Sequence, residues 1–152
     1  MKYYTKELWL GINSDDADER RAAEQQWAEN DRLYTEQHER VASCLPKAFL
    51  KQYIHLHGFH DFWISGVTVK SCKAKKCRCE LELWDGTEQH FLLLDGVSRF
   101  QISVESFASC IIGELRWGYA EWDRTPEGNF CLSVLCDFDN ELCFEFKKIR
   151  LT

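Results

Sequence analysis

Apolar side chains recur at helical spacing in the N-terminal part of the chain and predict three helices. A short helix is predicted within residues 1–12, with Thr5 near its start. A long helix is predicted from Ser14 to Ser43, because this segment has neither proline nor glycine and is rich in good helix formers. A third helix is predicted from Leu45 to Gly58, since glycine is a favourable residue just after the end of a helix.

The long helix is expected to contact the rest of the protein along one narrow side. Asp16 and Glu19 have the spacing of a capping box at its start. Its apolar stripe is thin and interrupted by polar residues. The stripe consists of Ala23, Trp27, Asn30, Tyr34, Gln37 and Val41. Trp27 and Tyr34 are the aromatic members of the stripe and are therefore candidates for a binding surface or for the contact of a homodimer.

The apolar period changes to two after residue 58, which indicates β-strands. About six strands are predicted in residues 59–152, joined mainly by short turns such as Asp85-Gly86. Short connections require antiparallel neighbours. The sequence therefore predicts a single α+β domain over residues 1–152, with N-terminal helices packed on a curved antiparallel sheet. A bulge is expected at Lys147-Lys148, because the apolar parity changes there.

One predicted strand, Ile111 to Trp122, has three large apolar residues at alternate positions. Leu115, Trp117 and Tyr119 should point to one face of the sheet, and small residues should point to the other. If no other element covers these three residues, they form a binding surface. The alternative is that the sheet curls over and buries them in the core.

Composition narrows the class of protein. The chain has 152 residues, 45% of them apolar, and a net charge of −6, so general nucleic-acid binding is disfavoured. No apolar run approaches the ~20 residues that span a bilayer, and no secretory signal is recognisable. We therefore expect a cytoplasmic protein, in which most of the eight cysteines are reduced.

The segment CKAKKCRC contains the densest group of positive charges in this acidic chain. Lys73, Lys75 and Lys76 lie in a predicted hairpin loop, where they are candidates for binding an acidic partner or a phosphate. The alternative is a solvated hairpin tip whose charges oppose aggregation.

The segment HLHGFHDF, residues 55–62, is the candidate metal site. His57, His60 and Asp61 are potential ligands, with Cys72 or His90 completing the set. The alternative is that this segment is only the corner between the last helix and the sheet, with histidines near the helix C-terminus. The sequence has no Walker loop and no G-x-G-x-x-G motif, so no cofactor is predicted.

Three features read together resemble a bacterial cytosolic family that is catalogued as a domain of unknown function. These are the opening MKYYTKE, the Leu45-Pro46 step and the His60-Asp61 step. The His-Asp step followed by β-hairpins is also similar to immunity-type proteins that neutralise bacterial toxins. The first resemblance implies no activity, cofactor or catalytic residue.

Two classes of function follow from these patterns. The first, which the patterns favour, is a non-enzymatic protein-binding or regulatory module, a class that includes the immunity type. The second is a metal-binding protein or metal-dependent hydrolase that uses the His55-Asp61 stretch.

Overall fold

The computed structural model describes residues 1–72, 76–103, 115–137 and 140–152, without the side chains of residues 71, 72 and 76. The three predicted helices are confirmed. They are α1 (Lys6–Ile12), α2 (Ala17–Ala42) and α3 (Lys47–His55). None of the helices in these ranges is both long and apolar enough to cross a bilayer.

Side-chain caps begin the first two helices where the sequence places them. The Thr5 hydroxyl accepts a hydrogen bond from the Leu8 amide, and the Asp16 carboxylate accepts bonds from the Asp18 and Glu19 amides. Such caps satisfy backbone donors that have no partner inside the helix.

The strands form two antiparallel sheets. They are β1 (Trp63–Cys72), β2 (Lys76–Trp84), β3 (Gln89–Val97), β4 (Arg99–Ser103), β5 (Trp117–Arg124), β6 (Phe130–Cys136), β7 (Glu141–Phe146) and β8 (Lys148–Leu151). The first sheet has the order β1-β2-β3-β8, and the second has the order β4-β7-β6-β5. The predicted α+β class with antiparallel strands is thus confirmed.

Two sharp bends explain why eight strands are present where about six were predicted. The chain passes from β3 in the first sheet to β4 in the second at Ser98, and from β7 back to β8 at Lys147. Because β3 pairs with β8 and β4 pairs with β7, the bends lie side by side. The register change predicted at Lys147-Lys148 coincides with the second bend, and Ile149 beyond it is buried.

The outer strands of the two sheets also meet, so that the sheets enclose a common core. The Ile64 amide donates to the Leu115 carbonyl over 2.7 Å, and the Trp117 amide donates to the Phe62 carbonyl over 2.8 Å. The core of apolar residues between the sheets is completed by α3, whose Phe49 packs on Trp122 with ring centroids 5.7 Å apart.

Helices α1 and α2 lie on the opposite face of β5. Tyr119 in β5 packs against Trp27 of α2, with ring centroids 4.6 Å apart, and against Trp9 of α1 at 5.8 Å. Ala120 and Trp122, on the other face of β5, pack in the core between the sheets. Strand β5 is therefore covered on both faces.

Candidate functional site

A groove of about 480 Å³ lies where the two paired strands bend. We call it the basic groove. It is lined by Arg78, Asp95, Gly96, Val97, Ser98, Lys147 and Lys148. The two sheet-crossing bends, at Ser98 and Lys147, thus both contribute to its wall.

Strand register places charged residues in one row across the first sheet. Lys70 of β1 pairs with Arg78 of β2, Arg78 pairs with Asp95 of β3, and Asp95 pairs with Lys148 of β8. Directly paired residues in an antiparallel sheet project from the same face. All four side chains therefore project from the outer face of the first sheet, and we call them the basic row.

Asp95 is the acidic member of the row, and two arginines neutralise it. Its carboxylate accepts hydrogen bonds from Arg78 Nε at 2.6 Å and from Arg150 Nη2 at 3.2 Å. Partial burial by itself raises the pKa of Asp95, but the two guanidinium groups outweigh it and hold the pKa below its ordinary value. The three groups together keep one net positive charge.

Lys147 and Lys148 supply the positive charge that remains available in the groove. Both residues are exposed, and neither forms an ion pair with any residue that the structure describes. Lys70, at the other end of the row, is held only loosely, with 3.9 Å between its Nζ and Glu80 Oε2. The groove can therefore attract an anion without first breaking a close ion pair at these lysines.

Gly96 allows the Lys147 side chain to lie across the bend. Gly96 has a φ of +69°, a conformation that glycine adopts without strain. A Cβ at this position would stand 3.2 Å from Lys147 Cβ and from Lys147 Cγ. The close packing of the lysine stem on Gly96 thus depends on the absence of a side chain there.

Of the three lysines predicted in the hairpin loop, the structure describes only the backbone of Lys76, which is connected to the groove through β2. Lys76 begins β2, and the next residue, Cys77, pairs with Val97 in the groove wall. The Lys76 side chain, Lys73 and Lys75 lie outside the described residues. Their candidacy for an acidic partner remains a prediction.

Trp27 and Tyr34 contact other parts of the same chain. Tyr34 is buried, and its hydroxyl accepts a hydrogen bond from the Trp122 amide over 2.8 Å. Trp27 is half-buried against Tyr4, Trp9 and Tyr119. The stripe predicted for a binding surface or homodimer is therefore occupied by α1, β5 and the N-terminal segment.

Leu115, Trp117 and Tyr119 do not share one open face, so the alternation predicted for them is wrong. A register shift between Trp117 and Tyr119 inserts Gly118 as a bulge. Trp117 is completely buried in the core between the sheets, Leu115 is half-buried against that core, and Tyr119 packs on the helices. The part of the predicted strand from 111 to 114 lies outside the described residues.

The His-rich segment forms the corner between α3 and β1. His57, Phe59 and Asp61 all have positive φ angles, as does Gly58, so the chain turns tightly here. His60 Nδ1 lies 3.1 Å from Asp61 Oδ2. Both residues border a crevice of about 70 Å³ with Asp137, whose pKa is raised by burial and by the nearby Asp61 carboxylate.

Of the metal ligands predicted from the sequence, those whose side chains the structure describes do not come together as a set. Among the described residues, no group of three or more His, Cys, Asp and Glu side chains has an arrangement that could hold a metal ion. His57 is exposed, and His90 is bound to Asp85 at 3.1 Å. The Cys72 side chain lies outside the described residues.

The six cysteines whose side chains the structure describes form no disulfide bonds with one another. Burial raises the pKa of Cys79 to about 11, and it does the same for Cys131. Thiols with such high pKa values are poor nucleophiles at neutral pH. Cys79 and Cys131 therefore act as small packing residues.

Sequence reasoning missed most of the basic groove. No sequence pattern indicates a role for Asp95 or Arg150, and the pattern at Lys147-Lys148 predicts only a bulge. The available signal was two adjacent lysines at a change of apolar parity. Their proximity to Arg78 follows from the pairing of β8 with β3, which no local pattern shows.

No family model matches the chain, and no curated protein matches it at a significant level.

Proposed function

We propose that the protein is a protein-binding module that holds an acidic segment of its partner in the basic groove. The observation that carries this proposal is the pair of exposed lysines, Lys147 and Lys148, beside Arg78 in a groove of about 480 Å³. Complementary charge steers a partner to such a patch and fixes its register.

The setting of the groove favours an acidic protein over a nucleic acid. The whole chain has a net charge of −6, which disfavours the approach of a long polyanion that would extend beyond the groove. A short acidic segment that protrudes from a partner can contact the basic groove without approaching the acidic surfaces. A regulatory or immunity-type role would use the same contact to neutralise or position the partner.

The test measures the affinity for a short, fluorescently labelled hexaglutamate peptide by anisotropy at ~0.1 M salt, where charges interact over about 10 Å. The wild type is compared with the double variant Lys147→Glu/Lys148→Glu. We expect affinity to fall by about tenfold or more, because four units of charge change inside the groove.

The matched control is Lys47→Glu/Lys51→Glu on α3, which changes the net charge equally at two other exposed lysines. We expect its affinity to stay within about twofold of the wild type, because its charges lie outside the groove. Equal losses in the two double variants would contradict the proposal. Tighter binding of a single-stranded DNA oligonucleotide of equal charge would contradict the choice of a protein partner.

A further inference from the structure

The basic row has a defined length and spacing. Neighbouring strands in a sheet lie ~4.8 Å apart, so the distance from β1 to β8 across three spacings is about 14 Å. Lys70 stands at one end of this distance and Lys148 at the other. The arginine-bridged Asp95, with its net positive charge, lies between them.

An extended peptide has a matching period. Its residues rise ~3.4 Å each, so side chains on one face repeat every ~6.8 Å, and three of them cover about 14 Å. Acidic side chains at three alternate positions would thus place one carboxylate near Lys70, one near the Arg78–Asp95–Arg150 group and one near Lys148.

We propose that the occupant of the basic groove is an extended peptide with acidic residues at alternate positions, lying across the strands of the first sheet. This inference rests on the proposed function and specifies the ligand for the same site. A peptide in this orientation crosses strands that are already paired on both sides in β2 and β3. It is therefore recognised through its side chains and not through added strand hydrogen bonds.

The position of Glu80 supports the inference that the site selects ligands by the spacing of their acidic residues. Glu80 lies one row away from the basic row, opposite Thr68 on β1 and Leu93 on β3, and its carboxylate is 3.9 Å from Lys70 Nζ. An acidic residue on the ligand that strays into this neighbouring row meets a like charge. The acidic residues of the ligand are thereby confined to the basic row.

The test uses two labelled heptapeptides of identical composition, Gly-Glu-Ala-Glu-Ala-Glu-Gly and Gly-Ala-Glu-Glu-Glu-Ala-Gly. Their affinities are measured by fluorescence anisotropy at low ionic strength. We expect the alternating peptide to bind at least about threefold more tightly, the effect of one additional exposed ion pair.

Single charge reversals test whether the peptide contacts the whole length of the basic row or only one end of it. Lys70→Glu and Lys148→Glu, at opposite ends of the row, should each weaken binding of the alternating peptide by about threefold or more. Lys51→Glu on α3 is the control and should leave the affinity unchanged. Circular dichroism of each variant verifies that the fold is retained.

The outcomes separate this inference from the proposed function. If the two peptides bind with equal affinity, or if Lys70→Glu binds as tightly as the wild type, the inference of an alternating peptide is wrong. The proposed function survives this result as long as Lys148→Glu still weakens binding. If neither peptide binds, or if Lys148→Glu leaves the affinity for both peptides unchanged, the proposed function itself is wrong.

Discussion

Glu121 is the residue that fastens the N-terminal segment to the sheet. Its buried carboxylate accepts hydrogen bonds from three consecutive backbone amides, those of Lys2, Tyr3 and Tyr4, over 2.6–2.8 Å. Tyr3 and Tyr4 then pack with Tyr34 of α2. One carboxylate thus holds the aromatic cluster between the helices and β5.

Replacement of Glu121 by glutamine should destabilise the protein although the side-chain shape is kept. The amide group retains one acceptor oxygen and directs an NH₂ group at backbone donors, so buried hydrogen bonds are lost. We expect the free energy of unfolding to fall by about 2–3 kcal/mol in urea denaturation.

The control for this change is Glu24→Gln on the exposed face of α2, which should alter stability by less than about 0.5 kcal/mol. A similarly small effect of Glu121→Gln would show that the carboxylate does not fasten the N-terminal segment.

At the scale of elements, the bulge at Gly118 decides which face each part of β5 presents. Trp117 points into the core between the sheets, and Tyr119 points to α1 and α2. A Cβ on Gly118 would lie 2.7 Å from the backbone carbonyl oxygen of Leu135. The bulge therefore requires glycine at this position because of space.

Replacement of Gly118 by alanine should cost about 1–3 kcal/mol of unfolding free energy, since the methyl group must displace backbone. Gly66→Ala is the matched control, because its Cβ would meet only the movable carboxylate of Glu82, at 3.1–3.3 Å. Urea denaturation of both variants provides the comparison. A loss for Gly118→Ala no larger than for Gly66→Ala would contradict this account of the bulge.

The helices could be predicted from the sequence because their signals are local. The stripe from Ala23 to Val41 and the cap at Asp16 identify α2 without reference to any other element. The faces of β5 could not be predicted, because a one-residue shift moves every following side chain to the opposite face. Gly118 gave no local sign of whether it was a bulge or an ordinary strand residue.

At the scale of the whole molecule, charge is distributed unevenly. The chain is acidic overall, yet among the described residues five cations lie in or beside the basic groove and the basic row, against three carboxylates. The cations are Lys70, Arg78, Lys147, Lys148 and Arg150, and the carboxylates belong to Glu80, Asp95 and Glu145, the last of which accepts a hydrogen bond from Ser98 in the groove wall. The lysine-rich segment at residues 73–76 is evident from the sequence, whereas the basic row could not be predicted, since it joins four strands separated along the chain.

The measurement that tests the central claim most directly is a two-dimensional NMR titration of the protein with a glutamate-rich peptide. Its 17.9 kDa mass suits backbone amide spectra. We predict that the largest shift changes occur at the amides of Arg78, Asp95, Gly96, Ser98 and Lys148. If the largest chemical-shift changes occur around α3 or the His60 crevice, and the shifts of those five amides stay unchanged, the basic groove is not the binding site.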